Sequence, residues 1–286
     1  MPEPRFSTGL MPGAHTPKVP AMTKPLLYEH PLSPYAQKNK IALREKGVVF
    51  DLATPEGMGS GGAGGDWLAA NPRAEVPTLV DGDVSVFDST IIQDYIEDRW
   101  PLPALLPAGA AARARVRMIE EVMDTQYEAI VWGMMELRVF GRAPGEQADA
   151  LLARAAGQIA GLNSWLEMQL GVADWFNGDA FGWGDIAVVP FVLGAAGFGE
   201  PPVPGSRLAA WLARCLDRAS VATTAAEAEG VAAIVAQVVP QMLASGQFQR
   251  EYRDHRLEWM IRSGGLQVLV DGLKAGNIRF SSEISA

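Results

Sequence analysis

Cysteine is nearly missing from this chain. Cys215 is the only one in 286 residues, and histidine occurs just three times. An internal disulfide framework is therefore excluded, a zinc site is short of ligands, and no metal is expected. Positive charge is also scarce: 24 Lys and Arg stand against 33 Asp and Glu, a net charge of −9. Such a surface repels phosphate backbones and leaves no counterion-release term, so nucleic acid is not an expected partner. No run of about 18 apolar residues stands out, and residues 1–21 lack the apolar segment of a secretory signal. A cytoplasmic protein with no membrane partner is expected, with the Pro-rich residues 1–21 as a disordered extension.

What is present is enough apolar material for a globular chain, 48% of residues, and enough length for two domains. "PLLYEH" (25–30) is a short apolar run suited to a buried strand. "PYAQKNKIALREKG" then changes period: Tyr35, Ile41, Ala42 and Leu43 share one helical side, Lys and Arg take the other, and Gly47 ends the helix. "VVFDL" (48–52) restores strand character, completing a βαβ unit. The six glycines of 54–67 read as a surface loop, since neither a Gly-Lys-Ser/Thr ending nor a GxGxxG spacing is present. "VPTLV" and "VSVFD" flank Asp81-Gly82-Asp83, a hairpin turn, and "STIIQDYIEDRW" continues as a helix capped at Asp88, Ser89 or Thr90.

"PLPALLP" (101–107) reads as a linker, and the rest is helical in pattern: about 108–140, 146–171, 184–197, 206–217 and 220–244. The segment from 247 to 286 adds a charged helix and an apolar tail that is too short for its own core, so it is expected to pack near a cleft. The domain reading is therefore 22–100, a linker at 101–107, a helical domain at 108–246 and the tail at 247–286.

Several stretches then carry a family likeness. "SPYAQKNKIALREKG", "NPRAEVPTLVDGDVSVFDSTIIQDYIEDRWP" (71–101) and "FGWGDIAVVP" (181–190) occur in the order and at the separation found in cytosolic glutathione transferases. The chain resembles that superfamily over about residues 24–245. The likeness implies a two-domain fold, a thioredoxin-like α/β domain (βαβ-ββα) followed by an all-α bundle. It also implies glutathione as co-substrate and a homodimer.

Site residues follow from the same likeness. Ser33 falls where serine-type members keep the hydroxyl that holds the glutathione sulfur as thiolate. Val76, before a cis Pro77, falls where the main chain pairs with the cysteinyl part, and Asp88 and Ser89 fall at the γ-glutamyl end. Tyr35 and Glu75 complete the implied glutathione-binding set. The physics is compatible: a thiol with a pKa near 8.5 gains reactivity from a hydroxyl donor and a helix N-terminus. Without the likeness, Ser33 reads equally as the cap of a helix with Pro34 at its first position, and Asp88, Ser89 and Thr90 as a capping cluster.

Some positions depart from the pattern. Ala74 stands where glycine is usual, and Glu75 where Lys, Gln or Thr is common, which leaves the glycyl carboxylate without its anchor; Arg73 and Lys38 are the substitutes on offer. Gly182 replaces a Ser or Thr cap, with Asp185 keeping half of the capping box. His30 and His255 read as strand-end and solvated residues, Cys215 as a core thiol, and Arg113, Arg115 and Arg117 as a solvated face. Tyr127, Trp132, Met134 and Met135 read either as cleft or as packing residues.

The expected activity is attack of the glutathione thiolate on a small hydrophobic electrophile. Serine at position 33 argues against thiol exchange, since a hydroxyl forms no mixed disulfide. The "SPY" start and the long tail are also similar to bacterial members that cleave β-aryl ethers. The competing reading is a non-catalytic scaffold for ligands or proteins.

Overall fold

Three residues of strand, Leu26–Tyr28 (β1), open the described part of the chain, which in this computed structural model comprises residues 24–59 and 64–280. The 1–21 extension and part of the glycine-rich stretch lie outside it. Helix α1 (Pro34–Glu45), strand β2 (Asp51–Ala53), the short helix α2 (Gly65–Ala70), strands β3 (Thr78–Asp81) and β4 (Val84–Phe87), and helix α3 (Ser89–Arg99) follow. The sheet order is β2-β1-β3-β4, with β1 parallel to β2 and antiparallel to β3. Leu27 pairs with Leu79, and both are fully buried against Ile41, Leu43, Ile92 and Ile96 of α1 and α3. This is the thioredoxin-like domain.

Strand β2 starts later than the apolar run predicts. Gly47 takes a positive φ of 66°, and the Val48 amide still donates to the Leu43 carbonyl at 3.0 Å. The turn that closes α1 thus consumes the first residues of "VVFDL".

The helical domain runs α4 (Ala110–Val122), a π-helical turn (Met123–Tyr127), α5 (Glu128–Arg138), α6 (Gly145–Leu170), α7 (Trp183–Gly197), α8 (Arg207–Leu216) and α9 (Ala219–Ala244). Helix α7 is apolar on all sides and nearly all of it is buried, so it forms the centre of the bundle. Its start is fixed by Asp185, whose carboxylate accepts from the amides of Gly182 at 3.1 Å and Phe176 at 2.8 Å and from the Trp211 indole at 2.8 Å. A Cβ at Gly182 would run into the Leu105 carbonyl and the Asn177 amide, which explains the missing Ser or Thr.

Two expectations for the basic side chains are corrected. Lys38 and Lys40 are not on a wet face of α1 but sealed, because α3, α7 and α9 cover that helix as well as the sheet. Lys40 pairs with Glu29 and Glu227 at 3.0 Å each. The α4 arginines are only in part a solvated face: Arg113 and Arg117 are exposed, with contacts to the Pro107 carbonyl and Asp94, whereas Arg115 is half-buried and donates to the carbonyls of Phe176 and Gln169.

Helix α9 is the one described helix long and apolar enough, by length and composition, to cross a membrane, with 17% of its most apolar 18-residue window buried. It is not an unbroken apolar run, since Glu227 and Glu229 interrupt it. Its first half is tied to α1 through Lys40, Arg44 and Glu227.

Beyond it, strand β5 (Arg250–Glu251), helix α10 (Asp254–Arg262), helix α11 (Leu266–Lys274) and strand β6 (Ile278–Arg279) form a small module with β5 and β6 parallel. The apolar stretch that had no assignment in the sequence is thus α11 and β6. The module packs on α5: the Trp132 and Tyr252 rings meet edge-on at 4.6 Å, and Trp259 lies against Gly133.

Candidate active site

The turn before β3 is shaped by Asn71, which is almost wholly buried. Its amide donates to the Glu75 carbonyl at 2.8 Å and to the Thr78 hydroxyl at 3.0 Å, and its side-chain oxygen accepts from the Arg73 amide at 3.0 Å. These bonds hold Ala74 at a φ of 53°, a left-handed conformation that disfavours any residue with a Cβ. The Val76–Pro77 bond is cis. Across the sheet, Asp88 caps α3, its carboxylate accepting from the Thr90 and Ile91 amides at 3.0 and 3.4 Å, with its own φ at 75°. Two non-glycine residues in unfavourable backbone conformations flank one cleft, as is common where geometry serves binding.

That cleft, of about 240 Å³, is lined by Asn71, Glu75, Val76 and Pro77 on one wall and by Asp88, Ser89 and Thr90 on another. Tyr35, Asp124 and Thr125 form its floor, and Arg253, Asp254 and His255 close it from the tail. Six of the seven sequence-predicted site residues are thereby brought together. The seventh, Ser33, is not among the lining side chains; its hydroxyl caps α1, accepting from the Ala36 amide at 3.3 Å.

Under the cleft lies a buried ionic cluster. Lys38 Nζ reaches Glu120 at 2.8 Å and both oxygens of Asp124 at 2.8 and 2.6 Å, while the Thr90 hydroxyl donates to Glu120 at 3.0 Å. One ammonium thus serves two carboxylates. Burial, opposed by Lys38 and reinforced by Glu120 and Asp88, pushes the Asp124 carboxyl up to about 7. Asp124 sits on the π turn, an irregularity frequent at functional sites. Its carbonyl accepts from the Tyr35 hydroxyl at 2.6 Å, and burial raises the Tyr35 phenol well above its usual range. Lys38 is therefore not at hand for a ligand carboxylate, and Arg73 is held by Glu75 at 2.8 Å.

The tail contributes what sequence reasoning missed. His255 is not a solvated residue: Nε2 lies 2.9 Å from Glu128 and 3.5 Å from the Tyr35 hydroxyl, and Nδ1 lies 3.1 Å from Asp254. Burial raises the Glu128 carboxyl, but the Arg256 guanidinium and the His255 hydrogen bond outweigh it and bring it down to about 2. Glu75, raised by burial and by a hydrogen bond with Glu251 of β5, joins the tail to the cis-proline turn. His30 is no general base in this arrangement: burial and then the Lys40 and Arg250 charges lower its pKa, and Nδ1 accepts from the Leu32 amide at 3.2 Å. Tyr127, Trp132 and Met134 are packing residues, buried beneath the tail or in the bundle.

Comparison with known proteins gives the family. A family model described as "Glutathione S-transferase, N-terminal domain" matches residues 27–104. Glutathione S-transferase U28 of Arabidopsis thaliana is 31% identical over 208 residues, 70% of this chain and 87% of its own length. The chain belongs to the glutathione S-transferase family. Rice GST1, solved in complex with glutathione, is 28% identical with a TM-score of 0.61, covering 76% of this chain and 96% of the rice chain. A stringent starvation protein A homolog of Coxiella burnetii is 39% identical over 93 residues, 32% of this chain; the match spans 43% of that relative's length. About a quarter of this chain has no counterpart in the rice transferase.

Proposed function

We propose that this protein is a glutathione transferase in which glutathione, as co-substrate, lies extended across the cleft and its thiolate attacks a small hydrophobic electrophile. The carrying observation is that the main chain at the cis Val76–Pro77 bond and the N-terminus of α3 face one cleft. The first is a stretch of main chain just ahead of β3, where an extended peptide can pair with Val76. The second presents amides and a positive dipole end to a carboxylate. Asp88 supplies negative charge for the ammonium of the same γ-glutamyl group, and Ser89 adds a hydroxyl.

Ser33 is proposed as the donor to the thiolate. As a cap it accepts from Ala36, so its own proton remains to be given, and the positive end of α1 adds to the effect. Sulfur then forms the C–S bond as the leaving group departs with the bonding pair. Tyr35 is the less suited donor, since its proton is engaged by the Asp124 carbonyl. Aromatic and β-aryl ether compounds are the substrates proposed within this class. A homodimer, the division at the 101–107 linker, and a tail that belongs to the catalytic unit complete the proposal.

A second reading, a non-catalytic scaffold, is favoured by Ala74 and Glu75, which stand where the family resemblance implies glycine and a polar or basic side chain. Turnover of a generic aryl halide with glutathione separates the two: conjugation above the uncatalysed rate supports the transferase, and none supports the scaffold.

A further inference from the structure

Glutathione carries two carboxylates and one ammonium, and the cleft as described accounts for one carboxylate. Its lining is strongly acidic, with Glu75, Asp88, Asp124 and Asp254. Among the described residues, Arg253 is the one Lys or Arg side chain that lines it. The nearby cations are spoken for: Lys38 is sealed between Glu120 and Asp124, Arg73 is paired with Glu75 at 2.8 Å, and Arg256 lies across Glu128 at 3.2 Å. Both nitrogens of His255 face carboxylates. Arg253 differs from all of these. It is 3.8 Å from Glu75, an open contact rather than a hydrogen bond, and its side chain keeps about a quarter of its exposure (27%).

We infer that Arg253, from the C-terminal tail, is the anchor for the glycyl carboxylate of glutathione. The inference rests on the glutathione reading of the cleft. With the γ-glutamyl end at Ser89 and the cysteinyl part at Val76, the glycyl end of an extended peptide falls on the side where residues 73–75 and 253–255 face each other. There Glu75 repels a carboxylate and Arg253 attracts it. A guanidinium holds a carboxylate through paired N–H donors, a stronger recognition than a lone ammonium gives. The tail is then part of the glutathione site, and the cation that the cis-proline turn lacks arrives from a segment about 180 residues further along the chain.

The test is calorimetric titration of the full chain with glutathione and with its glycyl monoethyl ester, which lacks only that charge. The wild type should prefer glutathione by about tenfold or more, the size of a charge-assisted hydrogen bond. Arg253→Ala should lose that preference while binding the ester as the wild type does, and Arg253→Lys should recover part of it. Equal loss of both ligands in Arg253→Ala would mean that Arg253 only docks the tail, and the inference fails. A wild type that binds both ligands equally overturns the inference alone; one that binds neither overturns the glutathione reading as well.

Discussion

The guanidinium of Arg256 lies across the carboxylate of Glu128, its Nε 3.2 Å from each oxygen, joining the tail to the helix behind the cleft. Glu128 is held down at about 2 in the folded state against an ordinary 4.5. A depressed carboxyl contributes stability that is complete above the ordinary value and is lost as pH falls through the depressed one. Docking of the tail should thus be constant from neutral pH to about 5 and weaken between about 4.5 and 2. Tryptophan fluorescence and proteolysis of the tail report it. Arg256→Met should release the tail already at neutral pH, at a cost on the order of 3 kcal/mol, because it strips a buried carboxylate of its main partner.

Gly133 gives a steric test of the same docking. A Cβ there would meet the Trp259 ring at less than contact distance, and the Trp259 indole is fixed by Gln158 at 2.8 Å. Gly133→Ala should favour helix α5 itself by about 1 kcal/mol yet displace α10, with an overpacking cost of about 1–3 kcal/mol. Unchanged fluorescence and unchanged protease resistance of the tail would contradict this packing.

The fold was readable because its signals are local: the period change at Pro34, the Asp81-Gly82 turn, and the proline-rich link between sheet and bundle. The α3 cap was legible for the same reason, whereas the cis-proline wall followed only from the family likeness of residues 71–101. The floor and lid were not legible. Asp124 and Thr125 reach the cleft through a π turn, which has no periodic signature, and Lys38 looks like a solvated helix residue until α4 and that turn place Glu120 and Asp124 around it. His255 and Arg253 sit in "YRDHRLEW", whose charges resemble a wet face. Only long-range packing shows that Glu128 and Glu75 are their partners.

Ala74 offers a gain in stability. Its φ of 53° costs an L-residue roughly 1–2 kcal/mol, and glycine, although more flexible when unfolded, adopts it freely. Ala74→Gly should therefore stabilise the protein by up to about 1 kcal/mol in chemical denaturation, with glutathione affinity kept. A loss of stability would show that the Ala74 methyl packs more than its backbone strains.

Removing the hydroxyl of Ser33 should separate binding from chemistry. Ser33→Ala is expected to lower turnover of an aryl halide by about 10- to 100-fold, since one preorganised donor to developing or stored negative charge is worth that much. Glutathione affinity should change by less than about threefold, because Val76, Asp88 and Ser89 hold the rest of the peptide. The lost cap adds a stability cost of about 1 kcal/mol, which a melting curve separates from the kinetic effect.

The most direct measurement is the titration of the thiol of glutathione bound to the wild-type chain, followed by the ultraviolet absorbance of the thiolate. If the cleft is the glutathione site and the α1 N-terminus with Ser33 activates the sulfur, the bound thiol should ionise at least about one pH unit below the 8.5 of a free thiol, and Ser33→Ala should move it back upward. A bound thiol that titrates at 8.5 or above in the wild type, or glutathione that does not bind, would contradict the account.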